Sequence, residues 1–133
     1  MTQTSESLPG LWTARLRRYG LLSVTGDDAR SFLHAQLTND VEHMSVDQAR
    51  LAGWCSAKGR LLASLIVVPQ PGGYLLHLAA DLAAAVAKRL AMFVLRSKVK
   101  ISDLGQDYAQ LGVWGAGAPV RPRGRDPVPC AQR

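Results

Sequence analysis

Trp54-Cys55-Ser56-Ala57-Lys58-Gly59-Arg60 runs straight into Leu61-Leu62-Ala63-Ser64-Leu65-Ile66-Val67-Val68. A polar turn centred on Lys58-Gly59-Arg60 separates an extended lead-in from a long apolar strand. Gly59 is its natural pivot, because glycine takes backbone angles that a side chain forbids. Along the strand, Leu61, Ala63, Leu65 and Val67 point one way, and Leu62, Ser64, Ile66 and Val68 the other. A strand with one wet face alternates apolar with polar residues, and this one does not. It is therefore expected at the centre of a sheet, covered from both sides.

Working outward, Ala49–Trp54 reads as the strand before the turn. Pro69-Gln70-Pro71-Gly72-Gly73 is a second turn, and Tyr74–Leu78 a third extended run. Arg50–Ala79 is thus expected to be antiparallel throughout. Upstream, Tyr19–Thr25 has strand composition. Asp27 and Asp28 then favour a helix start, and Ala29, Phe32, Leu33, Gln36 and Leu37 fall at helical spacing, which predicts a helix over Asp27–Leu37. Asn39 is expected to close that helix in the left-handed conformation, and Val41–Gln48 reads as a loop. Downstream, Asp81 is a plausible cap for a second helix to about Arg96, with Leu82, Val86, Leu90, Phe93 and Val94 on one face. Val99–Ser102 and Tyr108–Trp114 read as further strands. Leu11–Arg18, with Arg15, Arg17 and Arg18, fits either a solvated basic segment or a binding patch.

The resulting order, β-α-β-β-β-α-β-β, is that of an α+β domain, an antiparallel-rich sheet with two helices on one face and ferredoxin-like in outline. The expected plan is an N-terminal extension over 1–18, a folded domain over 19–114, and a Pro/Arg-rich tail over 115–133 with the composition of a disordered segment. Such a sheet leaves its second face open, yet the Leu61–Val68 strand is apolar there too. That face should be covered in the working molecule by more chain, a second copy or a flat ligand. A two-fold homodimer through the open sheet face is one expected outcome.

A chain of 133 residues can build one hydrophobic core. No apolar run approaches the ~18 residues that cross a bilayer, so no membrane partner is expected and a cytoplasmic location is the default. Cys55 and Cys130 form no disulfide framework and no metal spacing. His34, His43 and His77 are too scattered for a metal site. Half of the net charge of +6 lies in the tail, where Arg121, Arg123, Arg125 and Arg133 face only Asp126. The folded part is mildly basic, able to attract an anion without singling out nucleic acid. An RNA-binding sheet face would need stacking aromatics, and Trp54 and Tyr74 are the only obvious candidates on its strands. A nucleic-acid partner is accordingly not expected, and a small basic RNA-binding module is kept only as an alternative.

Gly26-Asp27-Asp28-Ala29-Arg30-Ser31-Phe32-Leu33, Gln36-Leu37-Thr38-Asn39-Asp40, Cys55-Ser56-Ala57-Lys58-Gly59-Arg60 and Leu95-Arg96-Ser97-Lys98-Val99 occur in this order and spacing. Together they resemble the N-terminal region of the YgfZ-like folate-binding family, which is related to the aminomethyltransferase of the glycine cleavage system. The match spans about Leu21 to Trp114. The resemblance implies a tetrahydrofolate-binding scaffold serving iron–sulfur cluster assembly or repair, with iron–sulfur client proteins as partners, and through them tRNA modification. It also implies a longer protein: three domains around a folate pocket, with a Lys-Gly-Cys signature in the later half that has no counterpart here. The loss of pattern after Gly115 is what a truncated or frameshifted product would show, and weak folate binding is the expected consequence.

By the same resemblance, the site residues are Asn39, Asp40, Lys58, Arg60 and Ser64, with no metal ligand and no catalytic residue. Lys58 and Arg60 read either as contacts to the folate glutamate tail or as charges that keep an exposed hairpin wet. Asn39 and Asp40 read as pocket lining or simply as a helix-ending turn, and Ser64 as a pterin contact or a small residue in a packed strand. The aminomethyltransferases carry two aspartates on the equivalent strand, where Ala63 and Ser64 stand here. A methyl and a hydroxyl can neither hold negative charge beside a developing iminium nor accept its proton. Independent catalysis is therefore not expected, and a degenerate folate-dependent aminomethyltransferase is the alternative from the enzyme class.

Overall fold

The computed structural model describes residues 10–118, so the first nine residues and the tail from 119 onward, Cys130 included, lie outside the described residues. In chain order the elements are β1 (Trp12–Arg15), β2 (Tyr19–Thr25), α1 (Ala29–Gln36), β3 (Arg50–Cys55), β4 (Leu61–Gln70), β5 (Gly73–Ala79), α2 (Ala80–Ala91), β6 (Lys100–Asp103) and β7 (Leu111–Trp114). Five strands form an antiparallel sheet in the order β3-β4-β5-β2-β6, and β1 pairs with β7 in a separate ribbon. The expected α+β sandwich is therefore present. The expected extension, 1–18, contains β1, which pairs with β7 from Trp12↔Trp114 to Arg15↔Leu111.

Both helices cover one face of the sheet. Phe32 and Leu33 of α1 and Ala83, Val86 and Leu90 of α2 join Leu22, Val24, Leu65, Val67, Leu76 and Leu78 in a single core. Gly20 lets α2 approach β2, since a Cβ there would stand 2.8 Å from Ala83 Cβ. The loop between α1 and β3 is not merely a connection: Val41 and Met44 are buried in the same core. Pro71-Gly72 makes the tight turn from β4 to β5, with Gly72 at φ 81, the angle a type II turn demands of its third residue.

Four expectations about these elements need correction. The strand covered from both sides is β2, in which Gly20 through Val24 are all buried, and β5 rather than β4 is central. In β4, Ala63, Leu65 and Val67 are buried, while Ser64 is exposed and Ile66 is 37% exposed. Helix α2 ends at Ala91, not near Arg96, because the next amides bond three residues back, Met92 to Arg89, Phe93 to Leu90 and Val94 to Ala91. Phe93, beyond the helix end, and Leu82, in its first turn, fall outside the buried face of Ala83, Val86 and Leu90. Asp28 does not cap α1 with its side chain: its Oδ2 accepts the Lys98 N–H at 2.8 Å and ties the helix start to the approach to β6. Asp81 lies within the first turn of α2, whose cap position is Ala79.

Candidate functional site

The outer face of the sheet divides in two. Over β2 and β5 it is closed. Leu21, Ser23 and Leu75 are buried there, and the chain between β6 and β7 is tied across this end. Leu104 N–H donates to the Leu21 carbonyl (2.8 Å), Gln110 Nε2 to the Tyr19 carbonyl (3.2 Å), and Gln110 Oε1 pairs with His77 Nδ1. His77 stacks on Tyr19 with ring centroids 4.4 Å apart, so its ring is already engaged on both counts.

Over β3 and β4 the outer face is open. A register shift between Trp54 and Cys55 pairs Trp54 with Ala63 but Cys55 with Leu61, so Leu62 is the extra residue of a bulge. The bulge overturns the simple alternation expected for this strand. Leu62 packs against the core, whereas Leu61 is 59% exposed with its Cδ1 beside Gly53. Gly53 leaves room for both neighbours, since a Cβ would stand 2.8 Å from that atom, which the exposed Leu61 side chain could move aside, and 3.2 Å from Thr38 Oγ1. The open surface thus consists of Leu51, Leu61 and Ile66 around Ser64, with Cys55 as a half-buried free thiol near the turn.

The turn at the end of this surface is built by Ser56. Its N–H donates to the Arg60 carbonyl (2.8 Å), its carbonyl accepts the Gly59 N–H (2.9 Å), and its Oγ accepts the Arg60 N–H (3.2 Å). Gly59 has φ 78, as the pivot reading requires. The closed turn presents Lys58 and Arg60 to solvent beside a shallow concavity shared with Ser56 and Leu62.

At the free edge of β3, the segment after α1 supplies the missing pairings. Leu37 bridges Trp54. Thr38 N–H donates to the Gly53 carbonyl (3.0 Å), Gly53 N–H to Thr38 Oγ1 (2.8 Å), and Asn39 Nδ2 to the Leu51 carbonyl (2.8 Å). Asn39 is not in the left-handed conformation, since Leu95 is the only non-glycine with positive φ among the described residues. The helix closes instead on an extended Leu37, drawn out by its pairing with β3.

Asp40 follows as a node. Its Oδ1 accepts the His43 N–H (3.0 Å) and lies 3.4 Å from His34 Nδ1, its Oδ2 lies 2.8 Å from His43 Nδ1, and its carbonyl accepts from Arg50 (3.0 Å). The His43 backbone N–H, followed by the hydrogen bond and charge of the His43 ring and the charge of His34, holds the Asp40 carboxyl below its ordinary value of 3.8.

Among the expected site residues, Ser64 sits opposite Gly53, whose other edge is held by Thr38, so Ser64 and the Asn39 loop meet across β3. Lys58 and Arg60 stand apart from that loop: Leu51 and Cys55 alone are separated by about 13 Å of strand. Trp54 and Tyr74, the aromatics an RNA-binding sheet would have used, are both buried. Thr38 and Gly53 were not candidate site residues from sequence, and His43 was weighed there only for a metal site, because their roles arise from pairings that no local spacing encodes.

Comparison with known proteins places this geometry in context. The model of the GCVT N-terminal domain family matches residues 16–120. The tRNA-modifying protein YgfZ of Vibrio vulnificus (strain YJ016) is 33% identical over 118 residues, covering 86% of this chain and 35% of that protein. The protein of the same name from Edwardsiella ictaluri (strain 93-146) is 35% identical over 115 residues, covering 86% and 34%. An iron-sulfur cluster assembly factor IBA57 homolog, mitochondrial, from Mycosarcoma maydis is 27% identical over 124 residues, covering 82% and 30%. A solved structure, the glycine cleavage system aminomethyltransferase T from Bartonella henselae, superposes with a TM-score of 0.70 at 20% identity, over 77% of this chain and 28% of that one. That likeness is one of fold. The chain spans about a third of the length of the curated relatives it matches, 35% and 34% for the two YgfZ proteins.

Proposed function

This chain belongs to the GCVT N-terminal domain family, and on that premise we propose that it is a tetrahydrofolate-binding accessory module of the YgfZ-like kind. It serves cytoplasmic iron–sulfur cluster assembly or repair, with iron–sulfur proteins as clients, and through them tRNA modification. The observation that carries this reading is the open apolar surface over β3 and β4, in a chain that covers only a third of its relatives' length. Leu51, Leu61 and Ile66 offer a flat apolar floor with one hydroxyl, Ser64, and two cations at the rim, Lys58 and Arg60. Ligand sites have this composition: mostly apolar, with a few polar groups that fix orientation.

These residues fit the cofactor. The apolar floor would take the pterin ring, Ser64 would hydrogen-bond it, and the Lys58–Arg60 turn would hold the glutamate carboxylates. Tetrahydrofolate, when bound, supplies a carrier of one-carbon units. The chain's own residues bind and orient it but do not act on it. Ala63 is buried under the helices and Ser64 alone faces the open side, so neither position offers a carboxylate. One wall of a pocket holds a ligand weakly, because much of its surface stays in water.

Calorimetric titration with 5-formyltetrahydrofolate tests this. Weak binding is expected, reduced about tenfold by the double substitution Lys58→Glu, Arg60→Glu. Binding as tight in this chain as in a full-length relative would overturn the assignment of a single wall. Binding indifferent to both substitutions would overturn the site.

A further inference from the structure

The β1–β7 ribbon forms a sheet of its own, and none of its residues joins the core. Two strands without a third strand or a helix against them are marginal in water. Trp12 and Trp114 are directly opposite each other in the register, so their side chains share one face, and each is 48% exposed. The two rings are not stacked on one another, and neither indole N–H has a partner among the described residues.

The chain leaves the fold beside these rings. Gly117 N–H donates to the Gly10 carbonyl (2.6 Å) and Ala118 N–H to the Gly115 carbonyl (3.0 Å), a turn that carries the chain from the end of β7 to the start of β1. Gly115 lies against Trp12, since a Cβ there would stand 3.1 Å from the indole Cδ1. Pro119-Val120-Arg121-Pro122 follows at once, and residues 119–133 hold four of the seven prolines.

An occupant of this face has to match two flat apolar rings and two free N–H donors. A proline-rich segment matches both. Proline holds the backbone in the extended polyproline II range, where carbonyls have no internal partners, and proline rings pack on aromatic faces. Four residues in that form span about 12 Å, close to the roughly 13 Å of the ribbon's four paired positions. The ribbon's own cations are set toward its other end: Arg15 pairs with Leu111 about 10 Å along from Trp12, and Arg17 and Arg18 follow it in the chain.

We propose that Pro119–Pro122 folds back onto the Trp12–Trp114 face, its carbonyls accepting the indole N–H groups and its proline rings lying on the indoles. The segment is joined directly to the turn at Ala118, so it acts at high effective concentration and weak contacts suffice to hold it. The sheet surface over β3 and β4 plays no part, and the inference stands apart from the folate reading.

Acrylamide quenching of tryptophan fluorescence and trypsin digestion of the full chain test it from both sides. Trp54 is buried, so quenching reports on Trp12 and Trp114. Pro119→Gly combined with Pro122→Gly should raise the quenching to that of a chain ending at Ala118. This variant leaves residues 10–118 unchanged, so lost folding cannot imitate the result. Trp12→Ala should in turn speed cleavage after Arg123 about tenfold, because cleavage tracks the undocked fraction. Equal quenching with and without the two prolines would overturn the proposal, as would cleavage indifferent to Trp12→Ala. Shielding that appears only as protein concentration rises would also overturn it, since a second copy would then be the occupant.

Discussion

Asn39 Nδ2 donates to the carbonyl oxygen of Leu51 at 2.8 Å, and with Thr38 it closes the free edge of β3. An unpaired sheet edge is a template for pairing with other chains, and here side chains from the end of α1 occupy it. Thr38→Ala and Asn39→Ala should each cost about 1 kcal/mol in urea unfolding. The double variant should also aggregate faster than the parent, as read by light scattering. Unchanged stability in both single variants would contradict the capping role.

The depressed Asp40 carboxyl makes a prediction about acid. Its folded-state pKa lies below the ordinary 3.8, so its contribution to stability is present above that value and is lost as pH falls through the lower folded value. Asp40→Asn should therefore be less stable than the parent at neutral pH and converge with it below that window. The largest cause is a backbone N–H, that of His43. His43→Ala removes the ring's hydrogen bond and charge but keeps that N–H, so it should leave part of the depression in place, measurable by NMR titration of the Asp40 carboxyl carbon.

Two glycines with different surroundings should respond differently. At Gly73 an added Cβ would stand 2.1 Å from the Val24 carbonyl oxygen on the paired strand, where backbone cannot give way. Gly73→Ala should cost about 3 kcal/mol. Gly59 has nothing within 4 Å and only its positive φ to defend, so Gly59→Ala should cost about 1 kcal/mol and leave the fold intact. Equal costs at both would contradict the register of β2 with β5.

The two faces of β4 and β5 can be compared directly. Leu76 is fully buried, and Leu76→Ala should cost about 2–5 kcal/mol. Ile66→Ala, on the open side, should cost about 0.5 kcal/mol in chemical denaturation. A large loss at Ile66 would show that its side chain is already covered in the isolated chain.

The pattern of strands and helices was legible because apolar spacing along β2, α1, β4 and α2 is local. The apolar outer side of Leu61–Val68 was legible as well. What sequence could not give is which strand receives cover from both sides: that depends on Leu104–Gln110 folding back over β2, more than eighty residues away along the chain. The bulge at Leu62 was also hidden, since one extra residue changes no composition yet turns Leu61 outward. For the candidate site, Lys58 and Arg60 announce themselves as charges on a glycine turn. Asn39 acts through its contact with Leu51, and Asp40 through two histidines, so their neighbours could be read only in three dimensions.

A folate molecule seated on the exposed surface of β3 and β4 must perturb the residues of that wall. Amide chemical-shift mapping during titration with 5-formyltetrahydrofolate tests it most directly. Shifts are expected to concentrate at Gly53, Ser64, Ile66 and the Ser56–Arg60 turn, and to be abolished by Ile66→Asp. Shifts centred on another surface, or none at millimolar ligand, would contradict it.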